Sequence, residues 1–282
     1  METKTYEKFE QEVQEMPWPN DLKPIEQRNL ELVQENLKNG NSPFLPNEQG
    51  LIDIKGAYNM NNNNMHHGYS QLILREQQAR LNAPTGAFVT LEMIKKAQNA
   101  GVDCAIKKGQ HSVQIKLKSP TTSEYVTHYY FNISQIENPE NLKSFLDEKM
   151  AAQVEKTNAY NRENNENFYE KKNPAERDLN KPNEKVMKIR PFNTPAEYLG
   201  QVFTAISQGI KLVVSPEEAA KFKEGFLTDL NVNKLFDVTS KANDICKKLV
   251  SAIKQAESKD QQKDKVQEKK IKPREKDFSL GM

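Results

Sequence analysis

Apolar positions along this chain follow two periods, one helical and one alternating. Tyr6, Phe9, Val13 and Met16 recur at spacings of three and four, which predicts a short amphipathic helix over 3–16, stopped by Pro17-Trp18-Pro19. Leu30, Val33 and Leu37 share one face of a second helix, from about Pro24 to Lys38, with Gly40 just past its end. Another helix begins near Tyr69, with Leu72, Ile73 and Leu81 inward. Thr90 is the predicted N-cap of the next, whose Met93, Ile94 and Ala97 face a core and which Gly101 ends.

The period then changes. Residues 102–106 read as a strand and Lys107-Lys108-Gly109-Gln110 as a hairpin turn, because glycine takes a positive φ at no steric cost. Val113, Ile115 and Leu117 point one way, and Ser112, Gln114, Lys116 and Lys118 the other. Over 124–133, Tyr125, Thr127, Tyr129, Phe131 and Ile133 share one face, and Val126, His128, Tyr130 and Asn132 share the other. Alternation alone leaves open which of these faces is buried. Asn138-Pro139 starts a helix that runs past Met150.

Two stretches lack either period. Residues 41–68 are rich in Asn, Pro and Gly and read as a long loop, either functional or a low-complexity insert. Residues 158–190 are charged and Asn-rich and read as a linker. Beyond it, Tyr198, Val202, Phe203 and Ile206 mark a helix within 192–214, and Ser215-Pro216-Glu217-Glu218 is a capping box that opens another. Leu235, Val238, Ile245, Leu249 and Ile253 fit a third. The expected organisation is an arm over 1–19, an α+β domain over 20–155, a linker over 156–190, a helical bundle over 191–256 and a charged tail over 257–282. The expected fold class is α+β, a small antiparallel sheet with packed helices followed by a separate small helical domain.

Composition narrows the function. With 282 residues, 36% hydrophobic content and a mean hydropathy of −0.85, the chain has a core in part of its length and solvated segments around it. The net charge of +2 requires any basic surface to be local. No apolar run is long enough to span a bilayer, and METKTYEKFEQEV does not read as a signal peptide, so a cytoplasmic setting is expected. Cys104 and Cys246 lie far apart and suit a reducing compartment.

Catalytic motifs are missing. The histidines are His66, His67, His111 and His128, with no His-Glu-x-x-His spacing for zinc. Neither a phosphate-binding glycine loop followed by Lys-Ser/Thr nor a Gly-x-Ser-x-Gly elbow occurs. The expectation is no enzyme, no cofactor and no metal. What remains is a concentration of cations and rings. Lys95 and Lys96 precede the basic turn, Lys107, Lys108, Lys116 and Lys118 surround it, and Tyr125, Tyr129, Tyr130 and Phe131 follow. Single-strand binders combine a cationic groove with aromatic faces on which bases stack.

Residues 56–137 also carry a family pattern. Ala57-Tyr58-Asn59 and His66-His67-Gly68-Tyr69-Ser70-Gln71-Leu72 stand in its first element, and Thr90-Leu91 begins a helix that Gly101 ends. Lys107-Lys108-Gly109-Gln110-His111 supplies the basic turn, and Phe131-Asn132-Ile133-Ser134-Gln135 closes it. This stretch resembles the N-terminal domain of ArdC-type antirestriction proteins, which is shared with plasmid primases and large polyvalent proteins. The metallopeptidase-like domain that follows it in that family is not recognisable here. The resemblance implies single-stranded DNA as the ligand, in a mobile element or phage with an antirestriction-related role. It adds Tyr58, Asn59, Tyr69, Asn132 and Gln135 to Tyr130 and the lysines as expected contacts. The rival expectation is an interaction or scaffold protein that docks a partner through residues 191–256.

Overall fold

The computed structural model describes residues 24–118, 122, 124–164, 170–176 and 183–271. The predicted helix over 3–16 and the tail from residue 272 lie outside the described residues. Helix α1 (Ile25–Asn39) ends on Gly40 at φ 75°, the left-handed cap that its sequence called for. The loop after it is ordered by its own side chains. Asn47 Oδ1 accepts from the amides of Gln49 and Leu51, and Asn59 Oδ1 accepts from that of Asn61. These turns bring Phe44 and Ile52 into the core and shape a hairpin of β1 (Tyr58–Asn59) and β2 (Asn64–Met65).

Helix α2 (Gly68–Arg80) crosses over to β3 (Ala87–Thr90), which pairs parallel with β1. Thr90 caps α3 (Leu91–Asn99), its hydroxyl accepting from the Met93 amide. Then come β4 (Ala105–Ile106), β5 (Val113–Lys118), β6 (Tyr125–Asn132), β7 (Ile136–Glu137) and α4 (Pro139–Asn164). The main sheet has the order β2-β1-β3-β6-β5. The expected antiparallel sheet is therefore mixed, because β1 and β3, joined through β2 and α2, run in the same direction.

The hairpin expected around Lys107–Gln110 does not form between neighbouring strands. Strand β4 pairs with β7 and β5 pairs with β6, so the turn carries the chain from one small sheet to the main one. Gln135 fastens this crossing, its Nε2 donating to Gln110 Oε1 and to the His111 carbonyl. Gly109 keeps its expected role, at φ +77°.

Both faces of the sheet centre are covered. Phe88, Val113, Ile115 and Tyr130 belong to one apolar cluster, and Ala87, Val89 and Phe131 belong to a second with Ile94 and Ala97 of α3 and Leu142 and Leu146 of α4. The first cluster continues without a break into the C-terminal half, through α5 (Pro195–Gln208), β9 (Ile210–Val213), α6 (Pro216–Leu227) and α7 (Val232–Ile271). Tyr198, Val202, Phe222 and Leu235 lie in the same cluster as Leu30, Phe44 and Leu72. The α+β class is as expected, but the C-terminal helices are not a separate unit.

Part of the expected linker is also built into the fold. Strand β8 (Asn183–Lys188) pairs parallel with β9, a strand that the helical pattern of 192–214 concealed. Ahead of it, Asn158 Nδ2 donates to the Lys171 carbonyl and its Oδ1 accepts from the Lys171 amide. Residues 165–169 and 177–182 of that stretch lie outside the described residues.

Candidate nucleic-acid interface

The expected contacts divide into those that reach solvent and those that hold the fold. Tyr130 is only 3% exposed and packs among Val113, Ile115 and the edge of the His66 ring, 5.2 Å between centroids. It is a core residue, so it cannot stack on a base. Asn132 is fully buried. Its Oδ1 accepts from the Ser134 amide and its Nδ2 donates to the Thr85 carbonyl, while Gln135 Oε1 accepts from the Asn132 amide. This reciprocal capping box turns the chain out of β6, and it corrects both residues from ligand contacts to turn builders.

Tyr58, Asn59 and Tyr69 are half-buried for reasons of packing. Tyr58 leans on the cluster of Val89 and Phe131, and Asn59 closes its own turn. Tyr69 Oη accepts from Asn29 Nδ2 at 3.1 Å and its ring stacks on Phe236 at 4.4 Å. Burial pushes its hydroxyl up to about 12.

The solvent-facing chemistry lies on the β5–β6 hairpin. Its register sets Gln114 opposite Tyr129, Lys116 opposite Thr127 and Lys118 opposite Tyr125. Residues directly opposite in an antiparallel pair share a face. The face that α3 covers at Phe131 thus continues past that helix as Tyr129 and Tyr125, which are 40% and 73% exposed. Lys116 stands among them, while the side chain of Lys118 lies outside the described set. These two tyrosines, unlike Tyr130, present their rings to solvent.

The lysines differ in their engagement. Lys116 Nζ lies 2.9 Å from Glu26 of α1, whose carboxyl this contact holds below its ordinary range. An exposed pair of this kind contributes ~0–1 kcal/mol, little enough for a phosphate to replace it. Lys107 donates to the Ser134 carbonyl at 2.8 Å and Lys108 is exposed at the tip of the turn. On α3, Lys96 pairs with Glu92 one turn away at 2.6 Å, and Lys95 is half-buried.

Helix α1 closes the free edge of β5. Asn29 Nδ2 donates to the Gln114 carbonyl at 2.9 Å and Arg28 Nη2 to Gln114 Oε1 at 2.8 Å. Arg28 and Arg80 carry no sequence signal of function, since each reads as a solvated helix cation until the sheet brings them together.

Among the described residues, no group of three or more His, Cys, Asp or Glu is arranged to hold a metal ion. Cys104 is packed in the α3–α4 cluster, where burial raises its thiol. No described helix is long and apolar enough to cross a membrane. No family model matches the chain, and no curated protein matches it. Among solved structures it is similar to the metal-free crystal structure of the antirestriction ArdC protein from the R388 plasmid, with 11% identity and a TM-score of 0.43 over 80% of this chain and 96% of that one. That likeness is too distant to establish a common fold or to transfer a role.

Proposed function

We propose that the protein binds single-stranded DNA, without catalysing a reaction, across the outer face of the β5–β6 hairpin and the turn at 107–110. The observation that supports this reading is the open row of Tyr129 and Tyr125 interleaved with Lys116 and flanked by Lys107 and Lys108. Base stacking on exposed rings of this kind is worth ~1–3 kcal/mol per base. The resemblance of residues 56–137 to the ArdC-type domain supports DNA as the ligand and a mobile element or phage as the setting.

A titration of single- and double-stranded oligonucleotides over a range of salt tests it. Each phosphate contact contributes a log–log slope of about −0.7 on single strands, so Lys107→Ala with Lys108→Ala flattens the slope by about 1.4. Unchanged affinity and slope in that double variant would remove the turn from the interface.

A second reading has its own observation. An apolar groove of about 410 Å³ runs between α7 and α5, lined by Met187, Ile245, Leu249 and Ile253. It favours an interaction protein if no salt-dependent strand binding is found.

A further inference from the structure

Along the β5 edge that α1 closes, α1, α2 and the first residues of β5 enclose a groove of about 410 Å³. Arg28 and Arg80 line it from the two helices and His111 from the strand approach, and no carboxylate is among its lining residues. Ile25, Leu32 and Val113 supply an apolar wall. Gln77 forms part of the lining, is 1% exposed, and keeps its Oε1 without a hydrogen-bond partner.

Each feature has an internal explanation, but together they exceed it. Arg28 is held by Gln114, which spends one of its five donors and fixes the direction of the rest. Arg80 at the last turn of α2 complements the helix dipole, and Glu35 of α1 offsets its charge. Two arginines lining one concavity suit a phosphate dianion, whose several oxygens can accept from both guanidinium groups at once. The volume lies within the roughly 300–1,000 Å³ of small-molecule sites and leaves room beyond the phosphate for a sugar and a ring against the apolar wall. A buried acceptor without a partner is destabilising, and Gln77 Oε1 is placed to accept from a hydroxyl or amino group of the nucleoside rather than to meet the phosphate.

We infer that this groove binds a nucleoside phosphomonoester, supplied either as a free nucleotide or as the phosphorylated end of a strand. Arg28 and Arg80 clamp the phosphate, and the wall of Ile25, Leu32 and Val113 takes the nucleoside. The site adjoins the Tyr125–Tyr129 face at Gln114 but shares neither its tyrosines nor its lysines.

Calorimetric titration of the full chain with deoxyadenosine monophosphate, deoxyadenosine and inorganic phosphate tests this. The monophosphate binds, and deoxyadenosine binds at least about tenfold more weakly, as expected for the loss of charge-assisted hydrogen bonds. Arg80→Gln and Arg28→Gln each weaken the monophosphate by about tenfold, while Arg80→Lys, which keeps the charge but loses the bidentate fork, falls between Arg80→Gln and wild type, which separates charge from folding. Equal binding of nucleoside and nucleotide, or an Arg80→Gln protein that binds the nucleotide like wild type, overturns the inference. Oligonucleotides of one sequence with a 5′-phosphate or a 5′-hydroxyl distinguish the sources: an Arg80-dependent gain from the phosphate assigns the strand end, and nucleotide binding without that gain assigns the free nucleotide. Lys107→Ala with Lys108→Ala leaves nucleotide binding unchanged, so failure of the strand-binding face and failure of the groove are read independently.

Discussion

The Tyr198 hydroxyl donates to the main-chain carbonyl of Phe44 at 2.8 Å, joining helix α5 to the loop after α1 across 154 positions of sequence, with both groups buried. The Tyr198 ring stacks on Phe222 at 4.0 Å, and Phe44 packs edge-on against Phe203. The C-terminal helices are therefore bound to the N-terminal half by a specific polar contact as well as by apolar area. Tyr198→Phe keeps the rings and deletes the donor, leaving a buried carbonyl unsatisfied. The expected loss is ~1–3 kcal/mol. Urea unfolding followed at two probes, one in each half, checks this. Both probes report one coincident transition in wild type, and two separated transitions would mean that the halves fold independently.

The buried Glu76 and the half-buried His66 titrate in opposite directions. Glu76 is enclosed with Ser42 Oγ donating to its Oε1 at 2.6 Å and Asn36 Nδ2 to its Oε2 at 2.7 Å, and burial raises its carboxyl from 4.5 to about 7. Between those values the folded state holds a proton that the unfolded state has released, so this group makes stability fall as pH rises from about 4.5 to 7. Burial lowers His66 from 6.5 to about 4, and there the unfolded state holds the extra proton, so stability falls as pH drops through that range. His67 shifts in the same direction as His66. The slopes oppose each other in wild type. Glu76→Gln should expose the histidine slope, with less stability in mild acid than at neutrality. His66→Gln should expose the carboxyl slope, amounting to ~3 kcal/mol at most across the window. Denaturation midpoints across that pH range measure both, and identical profiles for the two variants would contradict the assignment.

Adjacent tyrosines on β6 should separate stability from binding. Tyr130→Ala empties a site in the core and costs ~3–5 kcal/mol of stability. Tyr129→Ala changes stability little and weakens single-strand binding by ~1–3 kcal/mol. Chemical melts and strand titrations on the two proteins give the contrast, and a destabilised Tyr129→Ala would show that this ring is packed in solution.

Gly86 and Gly109 are needed for different reasons. A Cβ on Gly86 would fall on the Gly56 carbonyl, and main chain cannot yield as a side chain does. Gly86→Ala should disrupt the entry of β1 and β3 into the sheet at ~1–3 kcal/mol or more. A Cβ on Gly109 meets nothing within 4 Å, so Gly109→Ala carries only the backbone penalty of its positive φ, ~1–2 kcal/mol. Thermal melts should rank Gly86→Ala as the more damaging, and the reverse order would mean that the turn at 107–110 is under tighter constraint than its open surroundings imply.

Local sequence determined the elements whose signals are local. The Gly40 and Thr90 caps, the Ser215–Glu218 capping box and the alternation of Val113 and Ile115 against Lys116 depend on residues within a turn or two of each other. The α+β class and the position of the basic turn followed from the same patterns. Only the tertiary structure decided the rest. Strand period cannot say which face of 124–133 is covered, because α3 and α4 cover one side at Phe131 and the α1–α2 layer covers the other at Tyr130. It cannot distinguish a hairpin turn from a crossing between sheets, since the turn at 107–110 looks the same whether β4 pairs with β5 or with β7. The strand over 183–188 was hidden because its partner lies beyond α5, and Arg28 and Arg80 meet only where two helices close on the β5 edge. Pairing partners and converging charges are set by distance in space, which a linear pattern of residues does not record.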